Sequence, residues 1–245
     1  LSPTTRLGNY TQILQKTIKV SGTLDTVNKA GRKSEKAYQL AKASQEITRD
    51  LETIMLANQG RDQGSSNSTA RKMGSLLSWI KTNTSFGATG ADPTTIGVST
   101  RSDGTQRTFT EALLKTVVAE VFDSGGMPSV LMVGSAGKQK VSSFAGIGAT
   151  RFNVTGAKPS TIIGAADLYV SDFGNLAVVP SRFMRTRDAL ILDPEYAAVA
   201  YLRPFQTNEL AKAGDSDKTQ LLVECTLEIK NEAAHGICAD LDMSL

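Results

Sequence analysis

From Ser34 to about Ala57 the apolar residues Leu40, Ile47, Leu51, Ile54 and Met55 recur at helical spacing within an otherwise charged stretch. That pattern predicts one long helix, polar round most of its girth, with Ser34 as its N-cap. Lys42 and Glu46 stand one turn apart with opposite charge, which supports an exposed helix. Ahead of it, Ile13, Ile18 and Val20 alternate with Thr, Gln and Lys between Arg6 and Val20, which predicts an extended arm ended by Ser21-Gly22-Thr23. An isolated strand is barely stable, so this arm is expected to pair with another chain.

Residues 58–67 read as a polar Gly/Ser loop. Met73, Leu76, Leu77 and Ile80 then make an i, i+3, i+4, i+7 stripe, which predicts a second helix from Thr69 to Thr82. Thr84 to Gln106 is a long, polar loop. Thr108-Phe109-Thr110-Glu111 reads as a capping box for a helix carrying Leu113, Leu114, Val117, Val118, Val121 and Phe122, closed by Gly125-Gly126. The apolar run Pro128 to Val133 predicts a buried strand, followed by a helix from Gly134-Ser135 through Phe144. Further strands are expected at 161–163, 167–171, 175–179, 189–193, 198–202, 221–230 and 237–241. A mixed α+β protein follows.

Composition adds mainly exclusions. The 27 basic and 24 acidic residues leave a net charge of +3, too small for a chain-wide nucleic-acid-binding face. No apolar run reaches the roughly 20 residues that span a bilayer, and no signal peptide is visible. Cys225 and Cys238 lack metal-ligand spacing and read as buried free thiols in a reducing compartment. His235 is the single histidine, which removes most zinc sites. An enzyme would need His235 as general base or Lys138 at a phosphate. Gly134-Ser135-Ala136-Gly137-Lys138 follows a strand and opens a helix, but Met132 stands where the phosphate loop needs Gly, and Gln139 follows the lysine. A tight turn with a solvated lysine is the better reading.

Interaction surface is what the chain offers instead. Arg6, Lys16 and Lys19 lie on the arm, and Glu35, Glu46 and Arg49 on the long helix. For any one of them, a merely solvated face is the competing explanation.

The order of segments resembles a family. Asn9-Tyr10-Thr11-Gln12-Ile13 with Val20-Ser21-Gly22-Thr23, Tyr38-Gln39, Asp167 to Gly174, Val179 to Met184, Leu202-Arg203-Pro204-Phe205, Leu210 to Asp215 and Glu224 to Gly236 together resemble tailed-bacteriophage major capsid proteins of the Hong Kong 97-like fold. The resemblance implies an extended-loop segment at 1–22 and a peripheral domain at 23–84 with its spine helix. It also implies an axial domain at 85–200 and a return to the peripheral domain at 201–245. The turn holding Asp215 and Lys218 would lie near local three-fold contacts.

It further implies a subunit that self-assembles as pentamers and hexamers into an icosahedral shell in the virion, built in the host cytoplasm, with no cofactor and no turnover. Portal, scaffold or decoration proteins and non-specifically held double-stranded DNA would be its partners, with no membrane. The family carries an N-terminal arm and the outgoing half of the extended loop ahead of this sequence, so a fragment, a processed form or a partial chain is expected. An encapsulin-like nanocompartment shell is the alternative.

Overall fold

The computed structural model describes residues 7–27, 31, 34–65, 68–144 and 167–244. In chain order these form β1 (Gln12–Ser21), α1 (Gly22–Thr26), α2 (Glu35–Leu56), α3 (Leu76–Trp79), β2 (Asn83–Ser85), β3 (Arg107–Thr108) and α4 (Glu111–Asp123). There follow β4 (Val130–Val133), α5 (Ser135–Ser142), β5 (Leu168–Ser171), β6 (Gly174–Pro180), β7 (Ala189–Leu192), β8 (Ala197–Leu210), β9 (Ser216–Ile229), a 3-10 turn (Glu232–Ala234), β10 (Gly236–Cys238) and β11 (Leu241–Asp242). The expected strand at 161–163 lies outside the described residues. The rest divide into two compact units.

The first unit draws on the described residues of Leu1–Met55, Arg61–Gly74 and Val199–Glu228. Its sheet has the order β1-β9-β8. The arm therefore does not look for a partner on another chain: β1 runs antiparallel to β9 from Gln12↔Cys225 to Ser21↔Ser216. The 14-residue β9 offers a full ladder, and the Asn9 side-chain amide fixes the approach by bonding the Gly74 and Leu227 carbonyls at 3.1 and 3.0 Å. Leu14 and Ile18 of β1, Leu221 and Val223 of β9, and Leu40, Ala43 and Ile47 of α2 pack into one cluster. Each well-buried aliphatic side chain there contributes about 1.5–3 kcal/mol. Ser34 caps α2 as expected, accepting from the Ala37 N–H at 3.3 Å.

The expected helix from Thr69 to Thr82 is a correction. Only Leu76–Trp79 is helical, and the stretch before it folds back through antiparallel bridges Asp62↔Lys72 and Ser65↔Thr69. Side chains from the arm take the backbone groups a helix would use. Gln12 Oε1 accepts from Met73 N at 3.1 Å, and Asn9 Oδ1 accepts from Gly74 N at 2.8 Å.

The second unit draws on Leu56–Gly60, Ser75–Ala198 and the described residues of Ile229–Leu245. Its six-stranded sheet has the order β2-β10-β7-β4-β6-β5. Residues 201–245 therefore do not stay together: β9 to Glu228 belongs with β1, while β10 enters this second sheet between β2 and β7. On one face Leu131, Val133, Leu176, Val178 and Ile191 pack against Leu114, Val117, Val118 and Val121 of α4 and Val141 of α5. The cap of α4 is Thr110, whose Oγ1 accepts from Leu113 N at 3.4 Å. Thr108 is not part of the cap, because it pairs with Asp242 in a two-stranded ladder. The expected strand 237–241 breaks at Asp240, which sits at φ 57.

Candidate assembly interface

The sequence-flagged charges are mostly engaged within the chain. Lys16 of β1 is ion-paired to Glu46 of α2. Glu35 accepts from Gln39 Nε2 at 2.8 Å, and its N–H donates to Asp25 Oδ1 at 3.2 Å. Lys16, Lys19, Glu35 and Glu46 line one groove between β1 and α2, together with Lys42. Lys19 stands directly opposite Lys218 in the β1–β9 register, a like-charge juxtaposition that costs stability unless an acid lies nearby. The Asp215 carbonyl accepts from Gly22 N at 3.1 Å and ties the β8–β9 turn to the end of the arm. Arg49 is exposed on α2. Arg6 lies outside the described residues.

Sequence reading missed a buried centre in this unit. Glu224 of β9 accepts from Thr11 Oγ1 at 2.6 Å and from Arg203 Nε at 2.8 Å, and is also paired with Arg71. One carboxylate thus joins the arm, β8 and the 61–74 segment. The Thr11 hydrogen bond, with the two guanidinium groups, holds its pKa below the usual carboxylate range despite burial. The available signal was a lone Glu between Val223 and Cys225 in an apolar strand.

Sequence reading also missed the exposed apolar positions. Along β8 every residue from Tyr201 to Leu210 is exposed, among them Tyr201, Phe205 and Leu210, with Leu202 at 65%. This strand is one edge of its sheet. In the second unit the rings of Phe122 and Phe173 lie 4.8 Å apart, tilted to one another, while both stay exposed, and Val170 and Met127 are 70% and 75% exposed.

His235 and Lys138, the two residues singled out for an enzyme, both have partners within the chain. His235 is fully buried, its Nδ1 accepts from Asp193 N at 3.2 Å, and burial lowers its pKa. Lys138 Nζ bonds Asp167 Oδ1 at 3.0 Å and the Val178 carbonyl at 2.8 Å. Cys225 and Cys238 are buried free thiols, and burial pushes Cys238 up to about 12. Among the described residues no cluster of His, Cys, Asp or Glu could hold a metal ion, and no helix is long and apolar enough to cross a membrane.

A family model described as SU10 major capsid protein matches residues 1–242. The major capsid protein of Escherichia phage Phieco32 is 26% identical over 276 residues, covering 97% of this chain and 76% of that protein. Among solved structures, the capsid asymmetric unit of cyanophage A-1(L) superposes with TM-score 0.65 at 11% identity, over 94% of this chain and 77% of that one. The holo-SrpI encapsulin complex from Synechococcus elongatus PCC 7942 gives TM-score 0.60 at 9% identity, over 96% and 75%. These likenesses establish the fold as Hong Kong 97-like.

Proposed function

The chain belongs to the SU10 major capsid protein family, and from that premise we propose that its shell contacts are made through the exposed edge strand β8 to a second copy of the chain. The protein is the major capsid protein of a phage, a subunit of the icosahedral head shell. An uncovered edge strand presents unpaired N–H and C=O groups to any neighbour, and a protein working as a monomer blunts such an edge. Here ten successive residues from Tyr201 to Leu210 are exposed, with Tyr201, Leu202, Phe205 and Leu210 among them. That observation carries the reading. In a subunit whose work is to meet its own copies, the occupant of such an edge is a neighbouring subunit.

On this reading the first unit is the peripheral domain with α2 as its spine helix, and β1 is the returning half of the extended loop. The second unit is the axial domain, where Phe122, Met127, Val170 and Phe173 offer apolar contact around a capsomer axis. Pentamers and hexamers follow, assembled in the host cytoplasm, with portal, scaffold or decoration proteins as further partners. Packaged double-stranded DNA is held by salt-sensitive, non-specific contact. The subunit performs no turnover; the burial of His235 and the engagement of Lys138 support this. The nanocompartment alternative rests on likeness of fold alone.

The test is size-exclusion chromatography with negative-stain microscopy on the unaltered protein and on a Leu202→Glu, Phe205→Glu double variant. Shells or capsomers from the first, and folded but unassembled subunits from the second, are expected. Normal shells from the double variant would remove β8 from the interface.

A further inference from the structure

Asp188 immediately precedes β7, whose four residues Ala189–Leu192 are all buried. Its side chain is drawn inside with them and is 1% exposed. Charged groups converge there from three parts of the second unit. The turn before β7 brings Arg185 and Arg187. The segment between β2 and β3 brings Asp92, Arg101 and Asp103. The junction of β10 and β11 brings Asp240.

Three of the four carboxylates are well served. Asp92 accepts from Arg101 Nη1 at 2.6 Å and from Thr84 Oγ1 at 2.8 Å. Asp103 is bonded by Arg185 Nη2, with Arg187 Nη1 at 3.5 Å. Asp240 accepts from Arg187 Nη2 at 2.6 Å and from the N–H groups of Gly104 and Gly87 at 2.8 and 3.1 Å. Asp188 differs. Arg185 Nη1 lies 3.0 Å from Oδ2, yet neither carboxylate oxygen has a formed hydrogen bond. Arg101, Arg185 and Arg187 supply three positive charges against the four acids Asp92, Asp103, Asp188 and Asp240, so the cluster carries one carboxylate more than it can neutralise. A buried carboxylate without hydrogen bonds takes up a proton rather than stay charged.

We propose that Asp188 is a proton-operated latch: protonated, it leaves Arg185 to hold Asp103, and ionised, it draws Arg185 away and loosens the segment 86–106. Burial pushes its carboxyl up to about 6, with Arg185 and Arg101 opposing and Asp103 and Asp240 adding to the rise. The sign follows. A carboxyl raised in the fold stabilises below its ordinary value, and that stabilisation is lost as the pH climbs through about 6. The segment affected is the one that Arg185 and Arg187 tie down through Asp103 and the Gly104 carbonyl.

Hydrogen exchange read by mass spectrometry on assembled particles tests this between pH 5 and 7.5, after correction for the intrinsic rate. Peptides covering 86–106 should exchange about tenfold faster at pH 7.5 than at pH 5. Asp188→Asn should abolish that difference. Asp103→Asn removes the carboxylate that Arg185 holds, so in that variant 86–106 should exchange at the faster rate at both pH values. A flat profile in the unaltered protein, or an undiminished pH response in Asp188→Asn, overturns the latch. If Asp188→Asn does not fold, Asp103→Asn decides: a pH-dependent difference across 86–106 that survives in it overturns the proposal, and its loss supports it.

Discussion

Glu224 on β9 and Arg203 on β8 meet at 2.8 Å between Oε2 and Nε, with the carboxylate 5% exposed and the guanidinium side 44% exposed. The asymmetry matters. Arg203 can return to water if the contact is lost, whereas Glu224 cannot. Because the same carboxylate also takes Thr11 and Arg71, the pair is part of the device that holds the arm to its own sheet.

Replacing Glu224 by Gln should therefore destabilise the first unit by about 1–2 kcal/mol, since charge-assisted hydrogen bonds are weakened while the partly exposed arginines are re-solvated. The pH sign is that of a lowered carboxyl: its contribution is present above the ordinary Glu value and is lost as the pH falls through the lower value of the fold. Urea unfolding from pH 7 down to 3 checks both points. A Glu224→Gln variant as stable as the unaltered protein at pH 7 would show that the three contacts do not hold the arm.

Gly236 is set by close packing rather than by backbone freedom. A Cβ there would lie 2.6 Å from Val117 Cγ1 and 2.9 Å from Val121 Cγ2. Those two valines belong to the buried face of α4, with Leu114 and Val118. Gly236→Ala should cost about 1–3 kcal/mol through overpacking, seen as a lowered melting temperature. Val117→Ala made alongside should recover part of that loss, because it opens the space the new methyl needs.

What could be read from the chain follows from range. The long helix, its Ser34 cap and the α4 stripe are local patterns, so spacing alone placed them. Contacts distant in sequence were out of reach. The arm's pairing with β9 spans some two hundred positions, and periodicity carries no information about which strand is the partner. The same holds for the stretch before α3, where a stripe of helical period was overridden by Asn9 and Gln12 claiming its backbone groups. At the candidate interface, the flagged lysines and glutamates were legible as charges, but their mutual engagement was not: Lys16 and Glu46 neutralise one another inside the subunit. The exposed face of β8 was hidden for the opposite reason. Tyr201, Leu202 and Phe205 look like core residues until the sheet order makes their strand an edge.

His235 provides a second pH-dependent term, opposed in sign to that of Asp188. The ring is buried, its Nδ1 accepts the Asp193 N–H, and burial lowers its pKa below the ordinary value. An imidazole that accepts at Nδ1 is the neutral ring with its proton on Nε2, and charging it would put a proton on Nδ1 and break the bond. A histidine lowered in the fold stabilises above its ordinary value, and that stability is lost as the pH drops through 6.5 and below. His235→Ala strands the Asp193 N–H and leaves a cavity, so about 2–4 kcal/mol should be lost at pH 7. His235→Gln can present an oxygen acceptor without titrating. It should keep more of the stability at pH 7 and flatten the decline between pH 7 and 5 that remains once Asp188→Asn has removed the opposing term. Thermal melts of the single and double variants across that range separate the two groups. A decline of equal slope with and without His235 would assign the pH dependence elsewhere.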